Sequence, residues 1–285
     1  MNFYDWFFLN KNMDGTPRPV EGLFSLAHIL TVTLVLLVLV GLAIFLGLKY
    51  KRNEKAINII LKVSAIIMIV LYVSRVTFGF ISSYVRGVTD PGSYFKQIVN
   101  SLPLFLCDVA IFAIPVIAFT KGKVRTLLAD FMAIWGIPMG VIGTYLAGNI
   151  FGRVPVFSFD GVVAILIHVL PAAVTVFLYL TNIATLERKN MVPALISFGC
   201  FLLFVLFYNY MFNLVFQGDD INFLFFFKGD GTPFDLFKPY VPLPVYQIIV
   251  FTLYMSYMAL FYLMFYWIKK KISQRKEKEE VTKTA

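Results

Sequence analysis

Residues 24–48 read FSLAHILTVTLVLLVLVGLAIFLGL and contain no Lys, Arg, Asp or Glu. A helix needs about 20 predominantly apolar residues to cross the hydrocarbon core of a bilayer. Unpaired backbone groups cannot face lipid, and the sequence lacks the alternation of a β-barrel strand. The stretch therefore predicts a transmembrane α-helix, and it decides the class of the protein.

Six further apolar stretches follow, so the sequence predicts an all-α, polytopic integral membrane protein with seven transmembrane helices. The predicted spans are residues 24–48, 57–84, 100–120, 125–147, 160–182, 192–216 and 243–268. Together they form a transmembrane domain at residues 24–268. An external interfacial segment at residues 1–23 precedes this domain, and a basic cytoplasmic tail at residues 269–285 follows it.

The composition excludes soluble classes of protein. The 285 residues are 59% hydrophobic and 14% charged, against roughly 45–50% and about 25% in a soluble domain. The longest connection, residues 217–242, is shorter than the roughly 50 residues that a separate soluble domain needs. Kinases, Rossmann enzymes and zinc-finger proteins are therefore excluded.

The cysteines and short motifs give no sign of a metal or a cofactor. Cys107 and Cys200 lie in different spans, near opposite ends of the membrane, which argues against a disulfide framework. No CxxC or HExxH spacing occurs. We therefore expect neither a metal site nor a cofactor.

The distribution of the net charge of +9 indicates the orientation of the chain in the membrane and gives no sign of a nucleic-acid partner. Loops at 49–56, 121–125 and 183–191, together with the tail, carry 16 Lys and Arg, against 7 in the alternate segments. The positive-inside rule then predicts an external N-terminus and a cytoplasmic C-terminus. The tail would face anionic lipid headgroups on the cytoplasmic side of the membrane.

Polar side chains inside the spans are costly, and they usually line a cavity or pair with one another. With the predicted orientation, all seven spans place such groups in their outer halves. The residues are His28, Arg75, Cys107, Asp108, Tyr145, His168, Asn209, Asn213, Tyr246 and Gln247. Arg75, Cys107 and His168 would lie about 10–14 Å below the outer boundary. A single polar cavity that opens toward the outer leaflet is the resulting prediction.

Several of these residues also allow a purely structural interpretation. Arg75 and Asp108 would neutralise one another and fix the helix register. His28 would be a hydrogen-bond donor at the membrane interface, and His168 would hydrogen-bond between helices. Cys107 would be a small packing residue, as buried thiols usually are. In the fourth span, Gly136 and Gly140 form a small-residue face that predicts the close approach of another helix.

Several short sequence motifs, in a fixed order, resemble those of the YwaF-type bacterial integral membrane proteins. They are Leu102-Pro103-Leu104-Phe105-Leu106-Cys107-Asp108, Phe24-Ser25-Leu26-Ala27-His28, His168, and Asn222-Phe223-Leu224 ahead of Pro242-Leu243-Pro244-Val245-Tyr246. The resemblance runs from about Phe24 to Trp267. That family is similar to a eukaryotic polytopic acyltransferase that moves fatty acyl chains between phospholipids.

The resemblance implies that Cys107 is an acyl-accepting nucleophile, although Phe105 stands where the family usually has a histidine. On that hypothesis His168 would take the thiol proton, Arg75 would stabilise the developing negative charge, and Asp108 would orient either partner. The other polar residues would bind substrate, namely His28, Tyr145, Asn209, Asn213, Tyr246 and Gln247. Membrane phospholipids are the expected partners, with no soluble protein partner implied.

Two other classes of function remain open from the sequence. A transporter or binding protein for a small molecule or ion would use Arg75 and Asp108 to bind an anionic or zwitterionic solute. A non-catalytic membrane scaffold would use the same polar residues only to fix packing. The sequence does not determine the oligomeric state.

Overall fold

A computed structural model of the chain describes residues 3–8, 10, 16–85, 87–218, 221–230 and 232–284. The elements formed by these residues are helices, with no β-strand. The α-helices are α1 (Phe3–Phe7), α2 (Leu26–Tyr50), α3 (Glu54–Val85), α4 (Pro91–Asn100), α5 (Leu106–Phe119), α6 (Gly122–Tyr145), α7 (Gly148–Phe151), α8 (Phe159–Leu180), α9 (Arg188–Phe216) and α10 (Leu243–Thr284). Short 3-10 helices occupy Phe223–Phe225, Pro233–Leu236 and Lys238–Tyr240.

Six of the described helices are long and apolar enough to cross a membrane, so the chain is a multi-pass membrane protein. They are α2, α3, α6, α8, α9 and the Leu243–Ile272 part of α10. The third predicted span corresponds to α5, which has only 14 residues and begins at Leu106 rather than at residue 100. Its length of about 21 Å is less than the roughly 30 Å of a hydrocarbon core.

Several helices begin at capping side chains that accept backbone N–H groups of the first turn. Ser25 caps α2, and Ser158 caps α8. Asp90 caps α4, where its Oδ2 accepts the backbone N–H of Ser93 at 2.7 Å and the Ser93 hydroxyl at 3.0 Å. These hydrogen bonds hold the pKa of Asp90 below its usual value.

The centre of the molecule is the contact between α6 and α8. A side chain added at Gly136 would overlap Thr175, and one added at Gly140 would overlap Ala172. The close approach predicted from the small-residue face is therefore confirmed, and α8 is the neighbouring helix. Most of α8 is buried, whereas α2 and α3 expose much of their apolar surface.

Alternate connections of the chain meet at the two ends of the bundle. At one end, Lys51 before α3, Arg125 in the first turns of α6 and Thr181 after α8 line one cavity. At the other end, the carboxylate of Glu21 accepts the backbone N–H of Val156 at 2.9 Å. The loops with the larger share of cations therefore lie together.

A buried carboxylate holds the connection between α8 and α9. Asp130 of α6 is fully buried, and its Oδ1 accepts the backbone N–H groups of Thr185 at 2.7 Å and Leu186 at 2.8 Å. Lys269 of α10 donates to the carbonyl oxygens of Ala184 at 2.8 Å and Thr185 at 3.0 Å. This connection thereby joins α6 to α10.

Candidate functional site

Cys107 lies in the first turn of α5, where the helix begins inside a predicted span. The residue before the helix is Phe105, and no side chain caps the first turn with a hydrogen bond. The ring of Phe105 packs against Phe223 at 5.2 Å and Phe225 at 5.6 Å between centroids. The positive end of the α5 dipole and Arg75 act in favour of negative charge on the Cys107 sulfur, whereas burial and the adjacent Asp108 carboxylate oppose it more strongly, so the thiol needs a base to become a nucleophile.

Arg75 and Asp108 form an ion pair beside Cys107. Nη1 of Arg75 lies 3.6 Å from Oδ1 of Asp108, and the Asp108 side chain is only 10% exposed, against 45% for Arg75. Oδ1 accepts no hydrogen bond from any residue that the structure describes. Asp108 also interacts electrostatically with His168 of α8. The structure thus brings Arg75, Asp108 and His168 together around the start of α5.

The orientation of the His168 ring follows from a single hydrogen bond. Its Nδ1 donates to the carbonyl oxygen of Ala164, one turn earlier in α8, at 2.7 Å. In the neutral ring Nε2 is then unprotonated and able to accept a proton. A side chain at Gly143 of α6 would overlap the imidazole, so the glycine provides the space that the ring occupies.

Two tyrosines near this cluster were missed by the sequence reasoning. Tyr254 of α10 lies close to Cys107, and its hydroxyl donates to the carbonyl oxygen of Leu224 at 3.4 Å. Tyr72 of α3 donates to the carbonyl oxygen of Ser101 at 2.7 Å, shortly before α5. The only signal in the sequence was the presence of a tyrosine inside an apolar span. This signal is weak, because a tyrosine does not interrupt the hydropathy pattern as a charged residue does.

His28 and Tyr145 lie in the contact between α2 and α6. The backbone N–H of Phe24 donates to Nδ1 of His28 at 3.3 Å, and Nε2 donates to the carbonyl oxygen of Thr144 at 3.0 Å. Both ring nitrogens of this buried histidine are therefore engaged within the protein. The hydroxyls of Tyr145 and Thr33 share a hydrogen bond of 2.6 Å.

Asn209 and Asn213 of α9 hold the loop at residues 221–227. Asn209 donates to the carbonyl oxygen of Phe223 at 2.8 Å and accepts its N–H at 3.0 Å. Asn213 makes the same pair of hydrogen bonds with Ile221, both at 2.8 Å. Six of the loop's seven residues are buried, so the loop packs as part of the core.

Tyr246 and Gln247, at the start of α10, lie beside the same loop. The hydroxyl of Tyr246 donates to the carbonyl oxygen of Phe225 at 2.8 Å. Oε1 of Gln247 accepts the hydroxyl of Tyr210 at 2.8 Å. Nε2 of Gln247 is buried and has no hydrogen-bond partner in the described part of the chain. The predicted substrate-binding residues thus form two groups, one between α2 and α6 and one around this loop.

No metal centre appears in the described residues, which contain no group of three His, Cys, Asp or Glu able to hold an ion. A cavity of about 300 Å³ lies at the end of the bundle where Arg125 is part of its lining. Its lining contains no residue of α5, the helix that carries Cys107. The polar cavity expected around Cys107 therefore stays a prediction.

Comparison with known proteins gives one match. The family model of the TMEM164 family matches residues 23–265, a range that contains α2 to α9 and most of the apolar part of α10. No curated protein and no solved structure matches the chain.

Proposed function

This chain belongs to the TMEM164 family, and from that premise we propose that it is a phospholipid acyltransferase with Cys107 as its nucleophile. The observation that carries the proposal is the position of Cys107 at the start of α5, next to the Arg75–Asp108 ion pair. The resemblance of residues 102–108 to the YwaF-type motif also supports it. The proposed substrates are phospholipids of a bacterial plasma membrane.

The reaction begins with transfer of the Cys107 proton to Nε2 of His168. The thiolate attacks the ester carbonyl carbon of a phospholipid, an S–C bond forms, and the ester C–O bond breaks. The lysophospholipid oxygen leaves with the proton held by His168. Arg75 and the first N–H groups of α5 stabilise the negative charge that develops.

A second lysophospholipid completes the transfer. Its hydroxyl gives a proton to His168 and attacks the carbonyl carbon of the S-acyl group on Cys107. The C–S bond breaks, and the sulfur recovers its proton from His168. One ester is thus exchanged for another with no net change in oxidation state, so no cofactor is required.

We also propose seven spans, an external N-terminus and a cytoplasmic C-terminus. In this arrangement α5 crosses the inner part of the membrane, and Cys107 faces the outer leaflet at partial depth. The meeting of Lys51 and Arg125 at one end of the bundle supports it, because these residues lie on either side of α3, α4 and α5. Phospholipid would then approach Cys107 from the outer leaflet.

The test is exchange of a labelled acyl chain between phospholipid and lysophospholipid in proteoliposomes. Cys107→Ser should reduce exchange to background, and the wild-type protein should carry a hydroxylamine-sensitive acyl group on Cys107. Cys200→Ser is the matched control, because Cys200 is exposed on α9 and should tolerate the change. Unchanged exchange in Cys107→Ser would overturn the proposal.

The same vesicles distinguish acyl transfer from solute transport. A transporter would take up its solute after Cys107 substitution and lose uptake after Arg75→Gln. Loss of acyl exchange in both variants, without any associated solute flux, supports the enzyme.

A further inference from the structure

A cavity of about 300 Å³ lies where the α2–α3 turn, the start of α6 and the segment after α8 meet. Three cations line it, namely Lys51, Arg52 and Arg125, together with one carboxylate, Glu54. Apolar contacts come from Ile57 and Ile183. The volume falls at the lower end of the range for small-ligand pockets. The lining has more positive than negative charge, and it has no part in the chemistry proposed for Cys107.

Arg125 is the most informative of the three cations. Its Nη2 donates to Oδ1 of Asn58 at 2.8 Å, which fixes the guanidinium. Its Nε is buried and has no hydrogen-bond partner among the residues that the structure describes. A buried donor without an acceptor is costly, so an acceptor supplied by a ligand would satisfy it.

The other two cations are available for the same ligand. Lys51 and Arg52 are both exposed at the α2–α3 turn. Within the described part of the chain, none of the three cations lies within 4 Å of a carboxylate in an ion pair. Three cations against the single carboxylate of Glu54 leave the lining with a net positive charge, which favours an anion over a neutral ligand.

We propose that this cavity binds a phosphate group. A planar guanidinium binds two phosphate oxygens at once, and flexible Lys and Arg side chains complete the charge. Leu48 of α2 and Phe119 of α5 are 61% and 63% exposed near the same end of the bundle, as expected of lipid-facing side chains. A phosphate at this position therefore has two sources, the headgroup of an anionic phospholipid or free phosphate.

The test measures ligand binding to the delipidated full-length protein in neutral detergent. Dioleoylphosphatidylglycerol, dioleoylphosphatidylcholine and inorganic phosphate are added separately, and bound lipid is counted by native mass spectrometry. Thermal unfolding follows stabilisation by each ligand. We expect phosphatidylglycerol to bind, and Arg52→Gln to weaken its binding about fivefold, the change expected for one cation near an anionic headgroup.

Arg125→Gln should weaken binding by at least as much, and the Lys51→Gln/Arg52→Gln double variant keeps the test valid if Arg125→Gln fails to fold. Lys55→Gln is the matched control, because Lys55 is exposed in the first turn of α3 without lining the cavity. Lys55→Gln should bind phosphatidylglycerol as the wild type does.

The outcomes separate the two sources of phosphate. Binding of phosphatidylglycerol that millimolar inorganic phosphate does not displace identifies a lipid headgroup site. Stabilisation by inorganic phosphate alone, lost in the double variant, identifies a site for the free ion. Equal binding of phosphatidylcholine and phosphatidylglycerol, or equal weakening by Lys55→Gln and Arg52→Gln, would overturn the proposal. None of these measurements depends on acyl exchange, so the site is tested separately from the enzyme activity.

Discussion

The two histidines of the chain have different environments, and this difference predicts different effects of substitution. Nε2 of His168 is the nitrogen left free by the Nδ1 hydrogen bond to Ala164. His168→Gln removes the proton acceptor but keeps a hydrogen-bond donor. We expect acyl exchange to fall by roughly 10²–10⁴-fold, the usual contribution of general acid–base catalysis. Acyl exchange is measured at saturating and at limiting lysophospholipid. The rate of His168→Gln should be reduced even at saturating lysophospholipid.

His28→Gln is the matched control, because both nitrogens of His28 are already bonded within the protein. It should lower the free energy of unfolding by about 1–3 kcal/mol, the cost of leaving a buried polar group unpaired. Exchange per folded molecule should stay unchanged. Equal loss of exchange in the two variants would contradict the role given to His168.

Depth arithmetic from the sequence predicted a similar depth for Arg75, Cys107 and His168, and in the structure Arg75 pairs with Asp108, the residue after Cys107. The sequence could not predict which partner each polar atom takes. That choice depends on the rotation of each helix about its axis, and depth leaves rotation undetermined. The hydrogen bonds of both His28 nitrogens are an example, since no sequence motif predicts that the carbonyl oxygen of Thr144 is a partner.

At the scale of helices, the contact between α6 and α8 also controls the site. Gly143→Ala places a methyl group where the His168 ring lies, so the ring or α6 must shift. Overpacking of this kind typically costs about 1–3 kcal/mol. We expect exchange to fall with a similar loss of stability, measured by exchange assays beside thermal unfolding. Addition of imidazole should not restore exchange, because the native ring remains in place.

The control for this prediction is Gly41→Ala in α2, where an added methyl group meets no atom within 4 Å. Alanine is favoured over glycine inside a helix by roughly 0.5–1 kcal/mol, so this variant should be as stable as the wild type or more so. Wild-type exchange in Gly143→Ala would show that the position of the His168 ring does not limit the reaction.

Two elements show the limits of a hydropathy pattern. Residues 100–120 read as one apolar span, yet the helix begins only at Leu106, after Pro103 and the end of α4. A hydropathy window measures composition, and it does not detect where backbone hydrogen bonds start. The loop at residues 221–227 is too short to span, and its burial depends on distant side chains of α9, Asn209 and Asn213. Local sequence therefore cannot specify its place in the core.

At the scale of the whole molecule, the alternation of cation-rich and cation-poor loops corresponds to a structural division. Connections with many cations meet around the cavity lined by Lys51, Arg52 and Arg125. The N-terminal segment and the α7–α8 connection meet elsewhere, through Glu21 and Val156. The charge pattern predicted which connections share an end. The charge pattern could not predict the shape of the cavity, because concave surfaces arise from helix packing that charge counts do not describe.

This division predicts the labelling of single cysteines in a background without Cys107 and Cys200. Asn53→Cys and Lys121→Cys should resist a membrane-impermeant maleimide in intact cells and react after permeabilisation. Phe157→Cys and Tyr240→Cys replace exposed side chains of the alternate connections, so they should react in intact cells. The α5 helix connects the outer side, where α4 lies, to Lys121. If Lys121→Cys reacts in intact cells and Asn53→Cys does not, then α5 does not cross the membrane and the protein has six spans. Complete reversal of both pairs would instead invert the molecule, placing the phosphate cavity outside and the start of α5 toward the inner leaflet.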